Sequence, residues 1–291
     1  MNPLTTLGNR IVDSTTGAPV LLRGVNRSGL EYSQTAIPAA DFDRIVAWGA
    51  NVIRLPFNQD WALTSESYLQ TMDSAVALAA ARGAYAILDL QWLDATTVRG
   101  TDNQGRPNFV APLPDASSIA LWQKLAQRYR NNPAVLFDIF NEPHDPLEND
   151  PLAPYARVTV DEWAPWAIDL VNAIRGEHAD ALILVPGTNW AYDLSEYPID
   201  GLDGVVYSTH VYSNKGNDWD RAFGNLSAIA PVFAGEWGGS AEELDWGRDL
   251  AGYFAQRGIG WTAWSWTDEP KLMLNGTPTP FGELVRSRLR T

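Results

Sequence analysis

Two glutamates are the residues of this sequence whose surroundings most clearly indicate chemistry. Glu142 lies in the string FNEP at residues 140–143, and Glu236 lies in the string GEWG at residues 235–238. Each ends an apolar, β-rich run, at the point where a strand meets a loop. A pair of carboxylates held at strand ends can cleave a glycosidic bond, one as the acid and the other as nucleophile or base. The pair therefore indicates sugar-cleaving chemistry.

The composition limits the class of protein. The chain has 291 residues, of which 45% are hydrophobic, and α/β barrels reach this size as one domain. We expect a single domain over residues 1–291. A formal net charge of -14 disfavours nucleic acid and anionic membrane surfaces as partners, because Lys and Arg are not in excess. The 13 tryptophans exceed what a core needs, which suggests that some of them contact sugar rings.

Several kinds of site are excluded or disfavoured by what the sequence lacks. The absence of cysteine rules out disulfides, thiolate metal sites and cysteine nucleophiles. The 3 histidines are not spaced as metal ligands, so we expect no metal site and no cofactor. No apolar stretch is long enough to span a membrane, and the first residues lack a signal-peptide pattern. We expect a secreted protein whose leader is absent from this chain, with a cytoplasmic protein as the alternative.

Eight apolar runs alternate with amphipathic stretches, a pattern typical of parallel βα units. No linker interrupts them and no glycine-rich phosphate loop follows the first run, so the pattern predicts an α/β fold of the (β/α)8 TIM barrel type. The predicted strands are Val20–Asn26, Asn51–Phe57, Ala84–Trp92, Ala134–Glu142, Ala181–Trp190, Val205–Tyr212, Val232–Trp237 and Gly260–Trp266. The predicted helices are Ala39–Gly49, Ser67–Arg82, Ser117–Arg130, Asp161–Arg175, Ala241–Arg257 and Pro280–Leu289.

Two segments depart from the regular units. The stretch Asp193–Gly204 is too short and too rich in turn-forming residues for a full helix, so we expect it to be irregular. The segment Arg10–Leu22, with Gly17 at its centre, predicts a short N-terminal hairpin that covers the bottom of the barrel.

The active site of such a barrel lies at the carboxyl ends of its strands. Side chains alternate between the two faces of a strand, which predicts that Glu236 shares the inner face with Val232 and Ala234. The same alternation predicts three further inward sets: Leu136, Asp138, Phe140 and Glu142; Ser208, His210 and Tyr212; and Thr262, Trp264 and Trp266. Their common face is the predicted pocket.

Five strings, in this order, resemble glycoside hydrolase family 5, the cellulase family of the retaining clan A. They are NVIRLP at 51–56, DIFNEP at 138–143, HVY at 210–212, GEWG at 235–238 and AWS at 263–265. The resemblance implies a (β/α)8 barrel that hydrolyses β-linked glycans with retention and without metal or organic cofactor. It also implies that Glu142 is the acid/base and Glu236 the nucleophile, supported by Arg54, Asn141, His210, Tyr212 and Trp264.

One position departs from the family pattern. After the third strand the family usually has Asp-x-His, whereas this chain has Asp89-Leu90-Gln91. Glutamine can donate and accept hydrogen bonds as a neutral histidine does, but it cannot exchange a proton. We therefore expect Gln91 to contact the sugar, and its presence to affect the substrate class or the pH profile more than the reaction.

The retaining reaction requires one ionised and one protonated carboxyl group. Arg54 and the Tyr212 hydroxyl are expected to hold Glu236 ionised by charge and hydrogen bonding. Burial and the charge of Glu236 are expected to raise the pKa of Glu142, so that it carries the proton.

The remaining candidate residues are expected to bind the sugar. Asn141 is expected to bind the 2-hydroxyl, and His210 to orient Glu142 or a sugar hydroxyl. Trp264 is expected to form the floor of the cleavage subsite. Sugar contact and ordinary packing are equally open for four further tryptophans: Trp92, Trp190, Trp237 and Trp266.

The predicted activity is that of an endo-β-1,4-glucanase acting as a monomer on a β-linked oligo- or polysaccharide. A β-mannanase, an exo-acting β-glucosidase and a carbohydrate-binding pseudoenzyme remain alternatives, the last supported only by Gln91. The acidic, proline-rich loop Pro143–Pro154 is predicted to line the leaving-group side of the cleft. It lacks the ordered alternation of a calcium loop, which disfavours Ca²⁺ binding there.

Overall fold

A computed structural model of the chain describes residues 1–94, 110–145 and 157–290. An N-terminal antiparallel hairpin is followed by eight parallel strands that close into one barrel, with β10 paired to β3. This confirms the predicted barrel. The strands are β1 (Leu4–Leu7), β2 (Arg10–Asp13), β3 (Arg23–Asn26), β4 (Val52–Asn58), β5 (Tyr85–Trp92), β6 (Val135–Asp138), β7 (Ile183–Pro186), β8 (Val206–Val211), β9 (Val232–Trp237), β10 (Gly260–Ala263), β11 (Met273–Leu274) and β12 (Thr277–Pro278).

The helices pack around the outside of the barrel. They are α1 (Ala39–Ala47), α2 (Gln59–Thr64), α3 (Glu66–Ala80), α4 (Ala116–Tyr129), α5 (Val160–Glu177), α6 (Leu244–Arg257) and α7 (Pro280–Leu289). All six predicted helices are present, and α2 was not predicted because six residues give too little periodicity. Asp115 begins α4 as its N-cap, accepting from the amides of Ser117 and Ser118. No helix in the described ranges is long and apolar enough to cross a membrane.

The unit between β7 and β8 lacks a helix, as predicted, since residues 187–205 form turns and isolated bridges. The predicted N-terminal hairpin is present. Val12 of β2 forms an antiparallel bridge with Pro19, and the amides of Asp13 and Val20 donate to the carbonyls of Ala18 and Ile11, each at 2.9 Å. A strand that was not predicted, β1, also pairs with β2 through a turn at Gly8 and Asn9. The sequence pattern missed β1 because only Leu4 of its four residues is buried.

The hairpin covers the amino-terminal end of the barrel. Leu4 of β1 packs into a cluster inside the barrel that comprises Leu22, Val52, Ile87, Leu136, Leu182, Leu184, Val206 and Phe233. A larger core lies between the strands and the helices. Because this lower layer is filled with apolar side chains, polar groups inside the barrel are confined to the carboxyl ends of the strands.

The side chains of strand β9 do not alternate as predicted. Phe233 belongs to the inner cluster, whereas Val232 and Ala234 pack outward against the helices. Thr209 of β8 pairs with Ala234, but the next residue, His210, pairs with Glu236, so β9 carries one extra residue at Gly235. This β-bulge restores Glu236 to the inner face and turns Trp237 outward. The prediction that Glu236 lies on the strand face of Val232 and Ala234 was therefore wrong.

The end of β6 departs from alternation for a related reason. The strand stops at Asp138, and Ile139 and Phe140 both pack into the outer core. Phe140 lies 6.0 Å from Trp163 of α5, between ring centroids. Asn141 and Glu142 therefore reach the inner face from a loop, and the predicted inward direction of Phe140 was wrong.

Candidate active site

Arg54 is at the centre of the charged layer above the apolar barrel interior. Its side chain, on β4, is completely buried. The guanidinium contacts Asp89, Asp138 and Glu236, each at 2.9 Å. It also donates to the Oδ1 atoms of Asn26 and Asn141, each at 3.0 Å. A buried cation requires such partners. The hydrogen bonds and ion pairs to Arg54 in turn hold these five side chains in place.

Glu236 is held at both carboxylate oxygens. Arg54 donates to Oε1 at 2.9 Å, and the Tyr212 hydroxyl donates to Oε2 at 2.7 Å. A side chain at the preceding residue could not be accommodated, since a Cβ on Gly235 would lie 2.6 Å from Ser208 Oγ and 2.9 Å from His210 Nε2. The carboxylate is therefore oriented by a charge, a hydroxyl and the space left by a glycine.

Glu142 has a different environment. Its Oε1 lies 2.9 Å from Nδ1 of His210. Loss of solvation on burial raises the pKa of Glu142 to about 7, whereas nearby His144, Arg54 and Lys215 oppose the rise. Burial also lowers the pKa of His210 to about 3, so that the imidazole is neutral.

The two glutamates lie close together. His210 Nδ1 is 3.8 Å from Glu236 Oε2, and ligand atoms of Glu142, His210 and Glu236 all lie within 4.8 Å of one another. Of the described residues, these three alone form a group able to hold a metal ion. Their hydrogen bonds to each other, to Arg54 and to Tyr212 already account for their arrangement.

A cavity of about 490 Å³ opens at this end of the barrel. It is lined by Glu142, Trp190, Tyr212, Ser213, Asn214, Lys215, Gly238, Gly239, Glu243 and Pro270. Trp190 stacks on His144 with a centroid distance of 3.7 Å. Trp264 follows β10 at the rim, half-buried, and its Nε1 donates to the Glu269 carbonyl at 3.0 Å.

The other candidate tryptophans occupy different surroundings. Trp92, at the end of β5, is half-buried. Trp266 is 1% exposed and packs edge-on against Trp48 at 4.8 Å, so its predicted place in the pocket was wrong. Trp237 is fully buried against the helices. An aromatic residue near a strand end suits either face, so sequence alone did not separate them.

Gln91 is buried at the end of β5, with 9% of its surface exposed. Within the described part of the chain, its Oε1 has no hydrogen-bond donor. A buried amide oxygen without a donor is unfavourable. A ligand hydroxyl could satisfy it.

Several residues of the site were not predicted from the sequence. Asp89 and Asp138 were noted at strand positions, but their pairing with Arg54 was not predicted. The roles of Lys215 and His144 were not predicted, because each follows a strand in a segment without periodicity. Glu243 lies at the start of the helix predicted over Ala241–Arg257 and was not considered as a site residue. A signal for the aspartates was present, since each is the single charged residue of its apolar strand. The loop predicted over Pro143–Pro154 lies outside the described residues beyond Asp145.

Comparisons with known proteins agree with this geometry. The chain is 29% identical to an endoglucanase of Paenibacillus polymyxa, over 89% of this chain and 78% of that protein. It is 27% identical to endoglucanase N of Pectobacterium atrosepticum, where the match covers 89% of this chain and 56% of the relative. The chain thus spans only about half the length of some relatives.

Solved structures share the fold of this chain, and a family model identifies its family. The β-glucanase SdGluc5_26A of Saccharophagus degradans superimposes with a TM-score of 0.82 at 25% identity, covering 100% of this chain and 93% of that one. The catalytic domain of endoglucanase Cel5A from Thermobifida fusca gives 0.77 at 21% identity, covering 99% and 97%. The family model described as Cellulase (glycosyl hydrolase family 5) matches residues 13–270. The chain therefore belongs to glycosyl hydrolase family 5, the cellulases.

Proposed function

We propose that the protein is an endo-acting β-1,4-glucanase that hydrolyses its substrate with retention of anomeric configuration. The observation that carries the proposal is the approach of Glu142 and Glu236 oxygens to within 4.8 Å. Retaining glycosidases hold their two carboxyl groups about 5–5.5 Å apart, whereas inverting enzymes leave about 6.5–9.5 Å for a water molecule.

In the first step Glu236 attacks the anomeric carbon while Glu142 protonates the departing glycosidic oxygen. Arg54 and Tyr212 fix the nucleophile, and the raised pKa of Glu142 keeps its proton available near neutral pH. The C–O bond to the leaving sugar breaks, and an ester between Glu236 and the remaining sugar forms.

In the second step Glu142, now a carboxylate, takes a proton from water while the oxygen of that water attacks the anomeric carbon. The bond between this carbon and the Glu236 oxygen breaks, which releases the sugar and restores the Glu236 carboxylate. The charge on Glu236 is absent from the ester, which makes ionised Glu142 easier to sustain. His210, neutral and 2.9 Å from Glu142, holds its carboxyl group in both steps.

The contacts to the substrate are assigned to side-chain groups of the site that can still bind a sugar. Asn141 accepts a hydrogen bond from Arg54 at its Oδ1, which leaves its amide N–H groups to donate to a sugar 2-hydroxyl. Gln91 Oε1 accepts from another hydroxyl. Trp264 supports the sugar that becomes bound to Glu236, and Trp190, beside Glu142 in the cavity, supports the leaving sugar. Aromatic surfaces on both sides of the cleavage point favour endo action.

Product analysis tests the proposal. The purified protein is incubated with soluble β-1,4-glucan, mannan and xyloglucan, and product sizes and the anomer first released are followed. Internal cleavage of the glucan with a β-anomer is expected. Faster action on mannan favours a β-mannanase, release of glucose alone favours an exo-β-glucosidase, and binding without turnover favours a pseudoenzyme; each of these refutes the proposal.

The nucleophile is tested with Glu236→Ala. The variant should lack turnover, and added azide should restore part of the activity while giving the product of inverted configuration, because azide takes the space of the missing carboxylate. Turnover by the variant at the rate of the unmodified enzyme would exclude Glu236 as nucleophile.

We further infer that the protein is a monomer acting outside the cell, where polymeric glucan is found. Sedimentation of the purified protein and recovery of its activity from culture medium test these two points. A stable dimer, or activity confined to the cell interior, would contradict them.

A further inference from the structure

Lys215 occupies an unusual position beside the cleft. It ends a short 3-10 helix, Ser213–Lys215, directly after β8, and its side chain is half-buried. The ammonium donates to the backbone carbonyl of Asn189 at 3.1 Å and to the Asn189 side-chain oxygen at 3.2 Å. Among the described residues, no carboxylate oxygen forms an ion pair with it. Both of these acceptors on Asn189 are neutral.

The turn that Lys215 contacts has a strained backbone. Asn189, Trp190 and Ala191 have φ angles of 54°, 60° and 56°, a left-handed conformation that is uncommon for residues other than glycine. Strain of this kind persists only where surrounding contacts enforce it. The Trp190 amide donates to the Pro143 carbonyl at 2.9 Å, and the ring stacks on His144. Lys215 supplies a further restraint, at Asn189.

Lys215 also lies close to the acid/base. Lys215 and Glu142 line the same cavity, and the positive charge lowers the pKa of Glu142 against the larger effect of burial. Burial in turn lowers the pKa of Lys215, which Glu142 partly offsets. Several other titratable groups act on Glu142 or lie beside it. They are Arg54 from β4, His144 from its own loop, His210 and Tyr212 from β8 and its end, Glu236 from β9, and Glu243, which lines the same cavity.

We propose that Lys215 is a positioning residue of the leaving-group side. Its ammonium fixes the left-handed turn that presents Trp190, and it stabilises the carboxylate of Glu142 after that residue has given its proton to the leaving oxygen. The inference rests on the proposed function. It adds that one residue, Lys215, affects both the position of Trp190 under the leaving sugar and the charge state of Glu142.

The two roles are separated by three variants. Lys215→Met removes the charge and both hydrogen bonds, Lys215→Arg keeps a cation, and Asn189→Ala removes the side-chain acceptor while keeping the cation. For each variant kcat/KM is measured across pH with cellotetraose, and with an aryl β-cellobioside whose leaving group needs no proton. Thermal melting shows whether each variant is folded.

For Lys215→Met we expect kcat/KM on cellotetraose to fall about ten-fold and its alkaline limb to move to higher pH, because an ionised Glu142 loses a stabilising charge. The aryl substrate should change by less than about two-fold, since a good leaving group needs little help from the acid. Lys215→Arg should restore the position of the limb. Asn189→Ala should lose activity on cellotetraose without moving the limb.

An alkaline limb that stays in place in folded Lys215→Met, or moves equally in Lys215→Arg, overturns the proposal. Equal losses on both substrates in Lys215→Met overturn it as well. These outcomes differ from failure of the proposed function, in which the unmodified enzyme would not cleave cellotetraose.

Discussion

Replacing Arg54 by methionine should destabilise the protein in a pH-dependent way. The substitution leaves Asp89, Asp138 and Glu236 inside the barrel without the cation that each contacts at 2.9 Å. Removing one partner of a buried ion pair costs about 3–5 kcal/mol. We expect a loss of that size in the free energy of unfolding at pH 8.

The loss should be smaller at pH 6. Burial raises the pKa of Asp138 to about 6 even though Arg54 opposes the rise, and without Arg54 this pKa should rise well above that of the unmodified protein. Between pH 6 and 8 the folded variant then binds more protons than the folded unmodified protein, from about half a proton more at pH 6 to about one more as pH rises. At about 1.4 kcal/mol per proton and pH unit, this difference makes the penalty about 2 kcal/mol smaller at pH 6 than at pH 8. A protonated Asp138 contributes stability that declines as pH rises through its pKa in the folded state. Because that pKa is higher in the variant, the decline continues to higher pH in the variant than in the unmodified protein.

Urea unfolding followed by tryptophan fluorescence at pH 6 and pH 8 measures both numbers. Arg82→Met is the control, because Arg82 pairs with Asp43 at 2.7 Å on the surface, where the Asp43 side chain is 63% exposed. That variant should lose less than about 1 kcal/mol at both pH values. An Arg54→Met penalty that is the same at pH 6 and pH 8 would refute the reasoning.

Four further outcomes are expected. The kcat/KM for β-glucan should fall as pH rises through about 7, where Glu142 loses its proton; a profile flat to pH 9 would contradict its acid role. Glu142→Gln should slow substrates with poor leaving groups far more than activated aryl glycosides, and equal losses would count against it. Gln91→His should stay active with a displaced pH profile, whereas inactivity would point to a specialised contact of the amide. Trp266→Ala should cost about 3–5 kcal/mol of stability because the ring is buried, while Trp190→Ala should chiefly weaken cellotetraose binding. The reverse pattern in melting and binding assays would contradict the assignment of Trp266 to the core and Trp190 to the cleft.

Much of the fold was accessible from the sequence. The barrel strands and outer helices follow from apolar periodicity, and the N-cap residue Asp115 marks the start of α4 locally. The bulge at Gly235 was not accessible, because an extra residue in one strand is visible only against its neighbour. The same holds for Lys215 and Asn189, whose contact joins two loops distant in the chain.

The sequence predicted which residues form the candidate site better than it predicted the direction in which each side chain points. Glu142, Glu236 and Arg54 were placed together because barrel strands end at a common rim. The side on which Trp266 and Phe140 pack was not predicted, since a large apolar side chain near a strand end satisfies an inner or an outer face equally well. Local irregularity decides between them.

The extra residue in β9 has a consequence for engineering. Glu236 faces the interior only because Gly235 shifts the register, and Trp237 is thereby anchored in the outer core. A carboxylate introduced by a single substitution on a regular strand of another barrel would therefore point in a different direction. The unit to transfer is the tripeptide Gly235–Trp237, in which Gly235 supplies the extra residue, Glu236 the reactive carboxylate and Trp237 the side chain that anchors the strand in the outer core.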